Sequence, residues 1–136
     1  MKNLTLLLIL SGIFFAFGCN KKKVSDRYVL LTEHVWVTDS LSANNIDAGG
    51  PGGMLEKFKG NVNFNEDGTG YFGTYSGTWR FNVDETQLVI VTDSLPLPIN
   101  TDILELTKAS LKIKTLISNP TISNELIRIR MTFKAK

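Results

Sequence analysis

The chain of 136 residues has one cysteine, one histidine and four prolines. Cys19 has no partner for an internal disulfide, so the fold must rest on packing rather than on cross-links. His34 stands alone, which excludes a cluster of histidine metal ligands and a histidine dyad. Neither sign of charge is in excess: 15 Lys and Arg against 13 Asp and Glu leave +2. That balance gives no electrostatic footprint for nucleic acid, and no nucleic-acid-binding motif occurs. His34 and Asp39 have no nucleophile elbow to serve, and the acidic pairs Glu66-Asp67 and Asp84-Glu85 fall in turn-forming sequence rather than in glycosidase-like positions. Long apolar runs are scarce too: Leu4–Phe17 is shorter than the ~20 residues a helix needs to cross a bilayer. These absences point away from an enzyme, a metalloprotein and a nucleic-acid binder.

What is present starts at the amino terminus. Lys2 precedes the apolar run Leu4–Phe17, and the small residue Gly18 follows it. A basic start, an apolar centre of about 7–15 residues and a small-residue cleavage site make a secretory signal, expected here over residues 1–18. Ala16-Phe17-Gly18-Cys19 resembles the lipobox of bacterial lipoproteins. Ala16 and Gly18 supply its small residues, and Phe17 is larger than the usual occupant. The resemblance implies a diacylglycerol thioether on Cys19, cleavage before it and an acyl chain such as palmitate on the new amino terminus. It also implies that residues 19–25 form a lipidated tether. Asn20 is not the aspartate that retains such proteins in the inner membrane, which favours the outer membrane. Lys21, Lys22 and Lys23 replace the acidic run of surface-exported relatives and favour its periplasmic side. No cofactor is expected beyond the covalent lipid.

Residues 26–136 read as one domain. Ser25 or Asp26 can cap a helical turn over Tyr28–Glu33. Beyond it the hydrophobic period is two, which predicts an all-β domain. The strands expected are His34–Leu41, Lys57–Asn65, Gly70–Tyr75, Thr78–Val83, Gln87–Thr92, Asp102–Thr107, Ser110–Leu116 and Leu126–Lys134. Loops are expected over Ser42–Gly53, Asp93–Thr101 and Ser118–Asn124. A two-residue Asp67-Gly68 turn would set Tyr71 opposite Phe64 on the inner face. Around Ser76-Gly77 the chain turns or bulges, with the register open. A two-residue turn at Lys108-Ala109 would pair Leu106 with Leu111, Leu104 with Ile113 and Glu105 with Lys112. Eight short strands, joined as neighbours, tend to close into an antiparallel up-and-down barrel because closure removes exposed edges.

The segments Phe64-Asn65-Glu66-Asp67-Gly68-Thr69-Gly70, Gly77-Thr78-Trp79, Leu88-Val89-Ile90, Ile103-Leu104-Glu105-Leu106 and Leu111-Lys112-Ile113 resemble, in order and spacing, the small lipocalin-like domains of bacterial lipoproteins. The likeness covers roughly residues 28–135. His34-Val35-Trp36 keeps the tryptophan of the Gly-x-Trp with which larger lipocalins open, without its glycine. The resemblance implies a barrel with an apolar interior.

Two groups of residues are candidates for binding. Trp36, Phe58, Phe64, Tyr71, Tyr75, Trp79, Phe81, Met131 and Phe133 are expected inside, where they either line a pocket for a small apolar ligand or fill the barrel. Lys112, Lys114, Arg128, Arg130 and Lys134 are expected outside on neighbouring strands. There they form either a basic stripe for anionic headgroups or an acidic envelope protein, or an ordinary solvated face. Asn63–Gly68 imitates the start of a calcium loop, but Thr74 stands where the bidentate Glu is needed, and the hairpin accounts for these residues. The function expected is a membrane-anchored, non-enzymatic binding module. The alternatives are a structural envelope scaffold with a filled barrel and an inhibitor of an envelope enzyme.

Overall fold

The computed structural model describes residues 22–136. The leader expected at residues 1–18 and the lipidation expected at Cys19 lie outside the described residues. Helix α1 (Asp26–Thr32) is capped by Ser25, whose hydroxyl accepts from the Tyr28 N–H at 3.1 Å. Its buried residue, Leu31, closes one end of the sheet.

Nine strands follow: β1 (Val35–Ala43), β2 (Ile46–Asp47), β3 (Asn61–Phe64), β4 (Thr69–Phe72), β5 (Tyr75–Phe81), β6 (Gln87–Thr92), β7 (Ile99–Leu106), β8 (Ser110–Ser118) and β9 (Leu126–Ala135). From β3 to β9 each strand pairs antiparallel with the next, β1 pairs with β3, and β9 returns to β1. The eight long strands are thus a closed antiparallel up-and-down barrel, and β2 is a spur on β1. The spur arises because Asn44 and Asn45 take left-handed φ values of 51° and 68°, the geometry of a two-residue hairpin. Among the described residues the buried core runs from Leu31 to Phe133, and a chain that begins at Lys22 keeps all of it.

Strand β9 alternates as expected: Ile129, Met131 and Phe133 are buried, and Arg128, Arg130 and Lys134 are exposed. Elsewhere local irregularities shift faces. The β3–β4 turn has three residues, Glu66, Asp67 and Gly68, with Gly68 at φ 84° and its N–H on the Asn65 carbonyl. Phe64 therefore faces Gly70, and Tyr71 points outward at 59% exposure, opposite Asn63. This corrects the inner placement of Tyr71: one extra turn residue flips every side chain of the return strand. A bulge between Ile103 and Glu105 likewise pairs Ile103, not Leu104, with Ile113, and Leu104 is exposed. The Leu106–Leu111 and Glu105–Lys112 pairs are as expected. A third irregularity, between Thr38 and Ser40, lets both Trp36 and Leu41 face inward.

Four boundaries also move. Phe58 belongs to a 3-10 turn (Glu56–Phe58) rather than to a strand. The β4–β5 turn is Gly73-Thr74, with Gly73 at φ 64°, and Ser76-Gly77 lies inside β5. A Cβ at position 77 would collide with the Val91 carbonyl, so glycine there permits β5 and β6 to approach. Finally, β7 begins at Ile99, within the stretch expected to be loop, and β5 ends at Phe81 with Val83 exposed.

Candidate ligand-binding site

The two ends of the barrel differ. At one end, α1 lies across the opening together with the β3–β4 and β5–β6 turns. The Tyr28 hydroxyl donates to the Glu66 carbonyl at 2.6 Å, and Arg27 Nε donates to the Glu85 carbonyl at 2.9 Å. Trp36 Nε1 donates to the Leu31 carbonyl and Trp79 Nε1 to the Asn65 carbonyl, each at 3.0 Å. Tyr28, Trp79, Phe64, Phe72 and Phe81 stack in tilted or T-shaped pairs with centroids 5.5–5.6 Å apart. Partial burial raises the Tyr28 phenol above its ordinary value, with the carboxylates of Glu66 and Asp67 adding to the shift. Asp67 is held below the usual carboxylate range by hydrogen bonds from the Thr69 hydroxyl and N–H. Asp84 is lowered in the same way by Thr86. These bonds knit the turns of the closed end.

The middle of the barrel is nearly solid. The cavity among Phe58, Val62, Phe64, Phe72, Ile113, Met131 and Phe133 is about 20 Å³, room for about one water molecule. The other end is open. A cleft of about 660 Å³ lies between the segment Met54–Phe58, Tyr75, the loop Leu95-Pro96-Leu97-Pro98 and the upper ends of β7, β8 and β9. Its walls are mainly aliphatic, with Ile99, Leu116, Ile117, Ile129 and Met131 below and Leu97, 74% exposed, at the rim. A volume of this order lies within the usual range for small-molecule sites, about 300–1,000 Å³. On the inward face of β6, near this end, the Thr92 hydroxyl is buried without a hydrogen-bond partner among the described residues.

Of the nine side chains expected to line a pocket, Phe58, Tyr75 and Met131 reach the cleft. Trp36 and Trp79 are committed to the closed end, where Phe64 and Phe81 pack against Trp79. Phe64 and Phe133 border the small interior cavity. Tyr71 is outside the barrel. The cleft residues that sequence reasoning missed include Met54, Leu55, Leu95, Leu97, Ile99, Leu116, Ile117 and Ile129. For Leu95, Leu97 and Ile99 the available signal was a cluster of apolar side chains in a proline-bearing stretch expected to be loop.

The basic residues do share one outer wall. The β8–β9 register sets Ser110 opposite Lys134, Lys114 opposite Arg130 and Leu116 opposite Arg128. Much of their charge is answered by neighbours: Lys112 pairs with Glu105 at 3.0 Å, Lys134 with Asp39 at 2.6 Å and Lys114 with Asp102 at 3.8 Å. Hydrogen bonding from Ser110 and then Lys112 holds the Glu105 carboxyl below its ordinary value. Arg128 and Arg130 have no acidic partner among the described residues. Asp39 is therefore engaged by Lys134, while His34 Nε2 sits 3.0 Å from Glu33 Oε1 without hydrogen-bond alignment. Among the described residues no three His, Cys, Asp or Glu side chains are grouped to hold a metal.

No protein-family model and no curated protein matches the chain. Among solved structures it is similar to bovine odorant binding protein, in a complex with a selenium-containing odorant. The TM-score is 0.53 and the identity 12%, over 85% of this chain and 76% of that one. The shared feature is the backbone architecture, and the chain accordingly has a lipocalin-like fold: a closed eight-stranded barrel with, among the described residues, one short α-helix.

Proposed function

We propose that this protein is a membrane-anchored, non-enzymatic binding module that holds a small apolar ligand in the open end of its barrel. The observation that carries the reading is the aliphatic cleft of about 660 Å³ above a filled interior. The likeness to an odorant-binding barrel supports it at the level of architecture. Two points of position add to it. The ligand would sit on the rim of the barrel rather than deep within it. The tether, residues 19–25, would join the barrel at α1, which lies at the closed end. On this reading Cys19 carries the lipid, the protein sits on the periplasmic side of the outer membrane, and the tether spans about 25 Å when fully extended.

The test is a titration of the chain from Lys22 with the apolar fluorophore N-phenyl-1-naphthylamine. Saturable binding that Leu97→Asp or Ile117→Asp weakens supports the cleft. Absence of binding favours the second reading, a structural scaffold, which the filled interior supports. The anchor is tested separately. Cys19→Ser should abolish incorporation of labelled palmitate in cells, and labelling that persists in that variant removes the anchor.

A further inference from the structure

The barrel wall is not uniformly sealed. Strands β7 and β8 are hydrogen-bonded from the Leu106–Leu111 pair as far as Asp102–Lys114. Above that point they part. Ile99, Asn100 and Thr101 pair only with β6, and residues Thr115 to Ser118 pair only with β9. The gap has one strut: the Thr115 hydroxyl donates to the Asn100 carbonyl at 2.6 Å, where a ladder N–H would otherwise be. Asn100, Thr115 and Leu116 border the apolar cleft on one side. The same three residues, with Asp102, Lys114 and Arg128, border a pocket of about 370 Å³ on the outer wall. The cleft and the outer pocket are therefore adjacent across the gap, with an aliphatic chamber on one side and two cations on the other.

The charges in the outer pocket are unequal. Lys114 is held only loosely by Asp102, at 3.8 Å, and the other oxygen of Asp102 accepts from Gln87 Nε2 at 2.7 Å. Arg128 has no acidic partner among the described residues, and its planar fork suits a carboxylate. Asp102 remains close by, which favours a head group of single negative charge over a doubly charged phosphate monoester.

We infer that the parting of β7 and β8 is a side port, and that the ligand is a long-chain carboxylate whose tail lies in the cleft and whose head reaches Arg128 and Lys114 through the port. The inference rests on the cleft being the ligand site and adds the chemistry of the head group. Its test uses the chain from Lys22 with three fluorescent probes: N-phenyl-1-naphthylamine, cis-parinaric acid and the methyl ester of that acid. The acid should bind about tenfold more tightly than the ester, the order expected for one charge-assisted hydrogen bond. Arg128→Ala should bring the acid down to the ester's affinity. Asp102→Asn removes the competing charge while leaving an acceptor for Gln87, and should strengthen the acid's preference. Equal binding of acid and ester, or a preference that both variants leave untouched, overturns the port even if the neutral amine binds. If none of the three probes binds, the cleft reading fails and the port fails with it.

Discussion

The two ends of this barrel are built from different chemistry, although the same eight strands reach both. The closed end is aromatic and tied down. Its two indole N–H groups are spent on the backbone carbonyls of Leu31 in α1 and of Asn65, just before the β3–β4 turn, and Leu31 and Trp36 are fully buried. The open end is mainly aliphatic, with a single aromatic pair, Phe58 and Tyr75, and it is loosely roofed, with Met54, Leu97 and Leu116 exposed. Aromatic side chains carry a large apolar area, and Trp and Tyr add a polar handle that finds a partner when buried. Here those properties serve closure. The cleft is lined mostly by side chains that make no such bonds.

This contrast makes the first and largest prediction. Trp36→Ala should cost about 3–5 kcal/mol, because it empties a closed site and strips the Leu31 carbonyl of its donor. Leu97→Ala should change stability by no more than about 0.5 kcal/mol, since its side chain is largely in solvent. Urea denaturation of both variants compares the ends directly. A Leu97→Ala variant as destabilised as Trp36→Ala would erase the distinction.

Tyr28 sharpens the account of the closed end. Tyr28→Phe removes the hydrogen bond to the Glu66 carbonyl and should cost about 1 kcal/mol near neutral pH. The folded-state phenol ionises above its ordinary value of 10.0 because it is partly buried and faces Glu66 and Asp67. The unfolded chain thus loses that proton first. The contribution is fully present below pH 10 and declines as pH rises from there through the folded-state value. Stability measured across that range should fall in the wild type and fall less in Tyr28→Phe. Parallel curves would mean that Tyr28 does not sense its burial.

The smallest effect belongs to the wall between the two ends. Lys134→Ala breaks the ion pair with Asp39, yet both side chains are well exposed, so the change should stay within about 1 kcal/mol and shrink in added salt. A larger, salt-independent loss would mean that the outer pairs hold the barrel closed.

Much of this architecture was legible in the sequence, and the misses share a cause. Period-two patterning marks a strand wherever it is regular, and it located β6, β8 and β9 well. It cannot count an inserted residue. The extra turn residue before Tyr71, the bulge at Leu104 and the irregularity at Asp39 each change parity within a strand whose composition gives no sign of it. Phe58 looked like a strand residue because it preserves the alternation with Val62 and Phe64, but Gly60, at φ 122°, breaks the extended run. The cleft was harder still. It draws on Met54, Leu55 and the loop Leu95–Pro98, which lie far apart in the chain and have no shared period. Most of the large aromatic residues gather away from the cleft, because an indole that is large enough to line a pocket is also well suited to plug one.

The native tryptophans test whether the proposed ligand occupies the open end, since both lie at the closed end. A saturated fatty acid brominated along its chain quenches indole emission only at short range. Added to the chain from Lys22, it should leave the emission of Trp36 and Trp79 nearly unchanged. In Tyr75→Trp, which places a third indole at the cleft, it should quench a new component of the emission. Saturable quenching in the wild type to the same extent would place the ligand inside the barrel beside Phe64 and Phe133 and contradict the account.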